Sequence, residues 1–316
     1  MARPHLGRRL AGHPREPVPQ HPYAAHPRLG RRARQTLLAH ERDVQGRYRY
    51  RAFWPGALDS AVRWKLVDDA GGALASGTLP QATIQIGNGQ RLGTVEADLC
   101  AAAPARKYTL VVGVEGTEFE NDWDIWVFAD RLDTAASDEV LIVERLDEAA
   151  LAQLGAGGKV LLMPRAEEVR TQSVIGFSSV FWNTAWTNNQ APHTLGILCD
   201  PGHPALADFP TEYHSNWQWW ELIHGSAAMV LDQLPAALRP LVQPIDTWFE
   251  NRRLGLLFEA IVDGGKLLVC SIDLRSDLDN RLVARQLRHS LLRYMRGEQF
   301  NPREVVNAGA VRAILW

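Results

Sequence analysis

A chain of 316 residues, 46% hydrophobic and 22% charged, has the composition of an ordinary folded protein and room for two domains, which excludes wholesale disorder. No run of about 18 apolar residues occurs, which excludes a transmembrane helix. The formal net charge of −2 hides an uneven distribution, and eleven Trp against six Tyr is an unusual ratio.

Residues 1–40 hold eight Arg against one acid, Glu16, together with five of the ten His and six of the eighteen Pro. Neither a helical nor a two-residue period runs through them, so no element there can bury a face. Residues 1–45 are therefore expected to be a disordered basic tail. A nucleic-acid arm would interleave Lys and aromatics with its Arg, and six Pro spoil the amphipathic helix of a transit peptide. Arg, Pro, His and Ala are also what GC-rich DNA yields when read out of frame, and a mistranslated start is the expectation. The rest of the chain carries 26 basic and 35 acidic residues, a net of −9. Neither nucleic acid nor a membrane is expected as a partner.

Residues 46–130 read as short alternating strands. Tyr48–Phe53 and Val62–Leu66 put apolar groups on one face and Arg or Lys on the other. Turn signals follow at Asp69–Gly72 and Gly87–Gly89, and further strands at Leu92–Leu99, Lys107–Val114 and Trp123–Phe128. This pattern argues an all-β, immunoglobulin-like β-sandwich without an intersheet disulfide, since Cys100 is alone there.

Residues 131–300 read as an α/β domain of flavodoxin or amidotransferase-like type with a mainly parallel sheet, with room for a hairpin among its later strands. Glu139–Val143 is a continuous apolar run, as for a strand covered on both faces, and a short helix, Asp147–Leu154, leads through Gly155–Gly158 to a strand at Lys159–Met163. Strands are expected at Thr194–Cys199, Val242–Trp248, Leu254–Val262 and Lys266–Ile272. Ser215 and Gln218 form a capping-box pattern for a helix running to about Asp232. The closing helix, Asp279–Arg296, carries Val283, Leu287 and Leu291 on one face and stops at Gly297. Residues 301–316 are expected to be a tail.

Cys100, Cys199 and Cys270 are too scattered for a zinc site, and the last two end apolar runs as core thiols do. Leu198-Cys199-Asp200-Pro201 lacks the glycines of a nucleophile elbow. Gly155–Gly158 precedes a strand, the wrong order for a phosphate loop. Neither a cofactor nor a metal is expected. Six of the eleven Trp fall between Trp182 and Trp248, interleaved with Asn, Glu and His. Aromatic faces and planar amides are what sugars bind to. The candidate carbohydrate contacts are Trp182, Asn183, Trp186, His214, Asn216 and Trp219; the alternative is that the indoles fill the core. Trp217 and Trp220, three apart, are expected to face inward, and Trp186 and Trp219 outward. Asp200, Glu212, Asp246, Glu250, Glu259 and Asp273 lie near strand ends, but no signature pairs two of them for glycoside hydrolysis, and no catalytic residue is assigned.

Asn121-Asp122-Trp123-Asp124-Ile125-Trp126-Val127-Phe128 resembles the Asn-x-Trp-x-x-Trp-Val strand that closes an immunoglobulin-like domain in large bacterial glycosidases. His193–Leu206 and Pro244–Gly255, with the Trp-rich run, look like the C-terminal region of the same proteins, members or relatives of glycoside hydrolase family 2. The resemblance spans about residues 46–300. It implies a role in carbohydrate metabolism beside a (β/α)₈ catalytic barrel, which needs about 250 residues and has no place here. The chain is thus expected to be the non-catalytic C-terminal accessory part of such a β-galactosidase or β-glucuronidase-like enzyme, with the missing barrel, carbohydrate and another copy of itself as partners. A stand-alone carbohydrate-binding module and a small amidotransferase or esterase-like hydrolase are the alternatives. Enzymes of this resemblance are often periplasmic or extracellular in bacteria.

Overall fold

The computed structural model describes residues 37–39, 44–52, 56–170, 175–177, 193–223 and 225–315. The first strands are β1 (Leu37–Ala39), β2 (Val44–Ala52), β3 (Leu58–Asp68), β4 (Ala73–Ile84), β5 (Gly87–Ala97), β6 (Arg106–Val114) and β7 (Glu120–Phe128). They form a five-stranded sheet, β1-β7-β6-β3-β4, and an antiparallel pair, β2-β5. Two-residue alternation sets the faces. Val62 and Leu66 of β3 point inward while Arg63 and Lys65 face water, and Tyr108, Leu110 and Val114 of β6 join the same core. Val95 and Ala97 of β5 reach that core from the second sheet. The β3–β4 turn is closed by Asp68, whose Oδ1 accepts from the amides of Ala70 and Gly72 at 3.0 and 2.8 Å.

β1 and the first residues of β2 fall within 1–45, so the expectation of a disordered tail over that whole span is corrected. β1 runs parallel to β7, with Leu37 opposite Trp126. A strand of three residues is too short to show a side-chain period in the sequence. The out-of-frame reading of residues 1–36 lies outside the described residues.

The second part of the chain contains β8 (Val140–Val143), α1 (Glu148–Gly155), β9 (Lys159–Leu162), β10 (Gly196–Cys199), α2 (Trp217–Ile223), β11 (Met229–Val230), β12 (Val242–Ile245), β13 (Leu254–Gly255), β14 (Leu257–Val262), β15 (Gly265–Cys270), α3 (Leu282–Arg296) and α4 (Ala308–Ala313). A six-stranded sheet runs β10-β12-β14-β15-β9-β8. β8, β9 and β15 are mutually parallel, whereas β10–β12, β12–β14 and β14–β15 pair antiparallel. The expected mainly parallel sheet is therefore a mixed one. The cause is local: Asp263 and Gly264, at φ +50° and +89°, make a two-residue turn of the type that folds β14 directly back on β15. As a whole the described residues are rich in β-structure, with few helices.

Each face of the six-stranded sheet has its own apolar layer. Leu161, Leu257, Leu268 and Cys270 pack with α3, while Val160, Leu162, Phe258 and Val269 pack with α1 and the C-terminal segment. α1 begins at Asp147, whose Oδ1 accepts from Ala150 N at 2.9 Å, and ends where Gly157 takes φ +79°. Residues 301–315 are not a tail, contrary to expectation. Val306 N donates to Ile261 O at 2.9 Å, Asn307 caps α4, and Val306, Val311, Ile314 and Leu315 are buried. Six helical residues are too few to show a period in sequence.

β7 is the join. Ile125 and Val127 enter the core of the first strands, while Trp126 and Phe128 on its other face enter the core around α3. Arg285 of α3 donates to Ala129 O at 3.1 Å, directly after that strand.

At Gly265 the end of α1 rests on the start of β15: a Cβ there would lie 2.5 Å from Leu154 O and 2.6 Å from Leu154 Cα. Gly265→Ala is expected to cost about 1–3 kcal/mol through overpacking against rigid backbone, read as a fall in the urea midpoint at unchanged m-value.

Candidate functional site

The Trp-rich segment is fastened residue by residue along the free edge of β10. Cys199 N donates to Tyr213 O at 3.0 Å, and Leu198 forms an isolated antiparallel bridge with His214. Gln218 Nε2 donates to Pro210 O at 2.6 Å, and Trp219 Nε1 to Thr211 Oγ1 at 2.9 Å. Asn216 Oδ1 accepts from Gln218 N at 3.1 Å, so Asn216 caps the helix in place of the expected Ser215. The helix is also shorter than expected. It ends at Ile223, with Gly225 at φ +77°, instead of running to about Asp232.

The capping chemistry fixes which indoles see water, and the outcome reverses the expectation. Trp219 is 0% exposed and packs edge-on against Phe209 at 5.4 Å, so it is a core residue and not a surface contact. Trp217 is 62% exposed and Trp220 43%. The signal was present in the sequence: Trp219 shares its apolar stripe with Leu222 and Ile223, three and four residues on, whereas Trp217 is four residues from Glu221. His214 is exposed, edge-on to Tyr213 at 4.8 Å, and Asn216 is half-buried. Trp182, Asn183 and Trp186 lie outside the described residues.

Sequence reasoning missed a second group of rings. Trp248 and Phe249, 56% and 62% exposed, sit edge-on at 5.5 Å on the loop after β12. Buried Asp246 holds that loop: it accepts from Thr247 N and Arg252 N, both at 2.8 Å, and from the Arg252 guanidinium at 2.8 and 3.2 Å. Between the two ring-bearing segments the sheet face is open. Ile197 and Pro244 pair toward the core, which leaves Leu198 and Ile245 on the solvent side.

Glu212 anchors the arrangement from below. Its Oε1 accepts from Lys107 Nζ of β6 at 2.7 Å, and its Oε2 accepts from Asn216 Nδ2. Burial works against ionisation of Glu212, but Lys107 and Asn216 outweigh it and hold the carboxyl below its ordinary value. Asp124 of β7, 3.8 Å from the same ammonium, is raised instead, by burial, with Lys107 opposing and Glu212 adding to the rise.

The remaining carboxylates near strand ends are engaged in the fold. Asp200 Oδ1 accepts from Gly202 N at 2.9 Å in a turn. Glu259 accepts the Tyr294 hydroxyl at 2.7 Å. Asp273 caps Arg275 N and Ser276 N and meets Arg281 at 3.3 Å, while Glu250 is exposed. At the carboxyl ends of β8, β9 and β15, Glu144 pairs with Arg165 at 2.7 Å and Arg275 at 2.9 Å. Burial pushes the Cys199 thiol up to about 11 and the Cys270 thiol up to about 12. Neither is a ready nucleophile near neutral pH. Among the described residues no group of three His, Cys, Asp or Glu is placed to hold a metal, and no helix is long and apolar enough to cross a membrane.

Residues 141–315 match the family described as a domain of unknown function, DUF8487, and residues 44–129 match a second such domain, DUF8488. The first match covers more than half of the chain, and the chain belongs to the DUF8487 family. No curated protein matches it. Solved structures similar to parts of it include glycosidases. A β-glucuronidase of Parabacteroides merdae is 11% identical at a TM-score of 0.23, over 46% of this chain and 22% of that one. A cycloisomaltooligosaccharide glucanotransferase of a Paenibacillus species is 14% identical at 0.27, over 50% and 23%. A CARDB domain of Pyrococcus furiosus is 9% identical at 0.25, over 34% and 92%. The chain thus spans under a quarter of the length of the two enzymes.

Two predictions follow from this geometry. Ellman's reagent at neutral pH is expected to modify exposed Cys100 in the native protein and to reach buried Cys199 and Cys270 only after denaturation. Because the Glu212 carboxyl is depressed in the fold, its contribution is present above its unfolded value near 4.5 and is lost as pH falls through the lower folded value. Glu212→Gln is therefore expected to lower stability at pH 7 by about 1–2 kcal/mol and to flatten the acid limb of the stability–pH curve below about pH 4.5, measured by urea denaturation.

Proposed function

We propose that this chain is a non-catalytic, carbohydrate-associated accessory part of a family 2 glycosidase and meets polysaccharide through the ring-bearing edge of its six-stranded sheet. On this reading the first strands are the immunoglobulin-like sandwich of such an enzyme and the second part is its amidotransferase-like α/β accessory domain. The observation that carries the proposal is the pairing of two facts at one edge. Tyr213, Trp217, Trp248 and Phe249 are exposed on segments held by specific hydrogen bonds, while the neighbouring carboxylates Glu212 and Asp246 are bound to Lys107 and Arg252. Fixed rings offer stacking faces to the C–H surfaces of sugars at low entropic cost, and carboxylates already tied into the fold are poorly suited to acid–base work. The motifs at 121–128, 193–206 and 244–255 support the link to the glycosidase family.

Affinity electrophoresis of the purified chain through gels containing β-galactan, xyloglucan or glucuronoxylan tests the reading. Retardation by at least one polymer is expected, reduced at least fivefold in apparent affinity by Trp217→Ala or Trp248→Ala, with no turnover of nitrophenyl glycosides. Migration unchanged in every gel overturns the carbohydrate reading, and turnover overturns the non-catalytic one.

A further inference from the structure

A cleft of about 680 Å³ lies on the outer face of the five-stranded sheet, at the end of β6 and β7 away from Lys107 and Trp126. Its origin is readable in the strand registers. On the outer face, Arg63 of β3 stands between Thr78 of β4 and Gly113 of β6, and Lys65 stands between Ser76 and Val111. The central row is thus long and charged, and its flanks are short. Gly113, opposite Glu120 of β7, makes the floor. The β6–β7 hairpin forms one wall. Thr117 holds its turn, donating from Oγ1 to Val114 O at 2.8 Å and accepting from Phe119 N at 3.2 Å, and this raises Glu118 and the half-exposed Phe119 ring beside the floor.

The lining chemistry discriminates between ligand classes. Arg63 and Lys65 stand among Glu118 and Glu120, and Arg63 also meets Glu115 at 3.5 Å beside the cleft, so charges of both signs are interspersed and no cluster of one sign is presented to an ion. It offers donors, acceptors and the hydroxyls of Ser76 and Thr78 within one concave surface, next to apolar contact from Phe119 and Val111. A ligand that presents many hydroxyls, each both donor and acceptor, together with C–H faces, satisfies that set. The volume lies within the range of small-ligand sites, about 300–1,000 Å³. We infer that this cleft binds a short neutral oligosaccharide, as a second carbohydrate surface separate from the aromatic edge. The inference shares the carbohydrate reading proposed above but not its residues.

Gly113 makes the test clean. A Cβ there would lie 3.5 Å from Phe119 O and 3.6 Å from Glu120 Oε2, ordinary contact distances at a backbone angle open to any residue. Gly113→Leu should therefore fold, and a side chain should strengthen a strand that glycine weakens. Titrations by calorimetry with cellotriose, laminaritriose and β-1,4-galactotriose are made on the unmodified chain, Gly113→Leu, Lys65→Ala with Glu118→Gln, and Trp217→Ala. At least one trisaccharide is expected to bind, at least tenfold more weakly to Gly113→Leu and severalfold more weakly to the double variant. Trp217→Ala should leave that binding intact. Binding that survives Gly113→Leu but is lost with Trp217→Ala overturns the cleft and leaves the aromatic edge standing. If no trisaccharide binds the unmodified chain, the cleft proposal fails, whatever the polysaccharide gels show. Should Gly113→Leu misfold by circular dichroism, the Lys65→Ala, Glu118→Gln variant decides in its place.

Discussion

α3 is buried on nearly every side, and its polar side chains hold the molecule together. Gln286 donates to Asp208 O at 2.6 Å, and Ser290 donates to Ala205 O at 2.7 Å while accepting from Asp208 N. Arg285, Arg288 and Arg296 donate to the carbonyls of Ala129, Thr134 and Ala135. An unsatisfied buried donor costs about 1–3 kcal/mol, so these bonds offset much of the burial of the helix, while Arg285 Nε, Gln286 Oε1 and Arg296 Nε are left without a hydrogen-bond partner among the described residues. The partners in the bonds that are made are the backbone of two loops, one joining the five-stranded sheet to the six-stranded sheet and one leading into the Trp-rich segment. α3 thereby fixes the course of both.

The aromatic edge depends on that course. The chain leaves Asp208 in a set direction, reaches Thr211 and Glu212, and is caught again by Lys107 from the five-stranded sheet. Trp219 then enters the core beneath, hydrogen-bonded at its indole N–H, and turns Trp217 outward. The exposed rings are held by groups from three regions distant in sequence. Their arrangement is a property of the whole fold and not of a local motif.

Much of the secondary structure was legible because period and punctuation are local signals. The strands around Val62, Tyr108 and Ile125, the α1 cap at Asp147 and the run of α3 can all be read from residue spacing. What was not legible depends on partners far along the chain. The placing of β10 beside β12 and of β12 beside β14 follows from pairing order, which apolar runs do not encode, whereas the β14–β15 hairpin is marked locally by Asp263-Gly264. β1 is too short to show an alternation, and α4 is too short for a stripe. At the site, Lys107 reads as one more solvated charge on a strand, and its role appears only when Glu212, more than a hundred residues later, is brought to it. The orientation of Trp217, Trp219 and Trp220 is the instructive case. The sequence contained the answer in Leu222 and Ile223, but the spacing of the indoles alone pointed the other way.

β7 carries a consequence for how this chain can be divided. A strand at the edge of one unit ordinarily turns a polar face outward, so that the unit can be lifted out intact. Here Trp126 and Phe128 belong to the neighbouring core, each contributing about 1.5–3 kcal/mol of burial. A cut between Phe128 and Val140 would separate the two regions that match different families, yet it would expose two large aromatic side chains on one piece and uncover α3 on the other. The boundary between the two family matches is thus not a boundary of stability: the strand that closes one region supplies part of the core of the other.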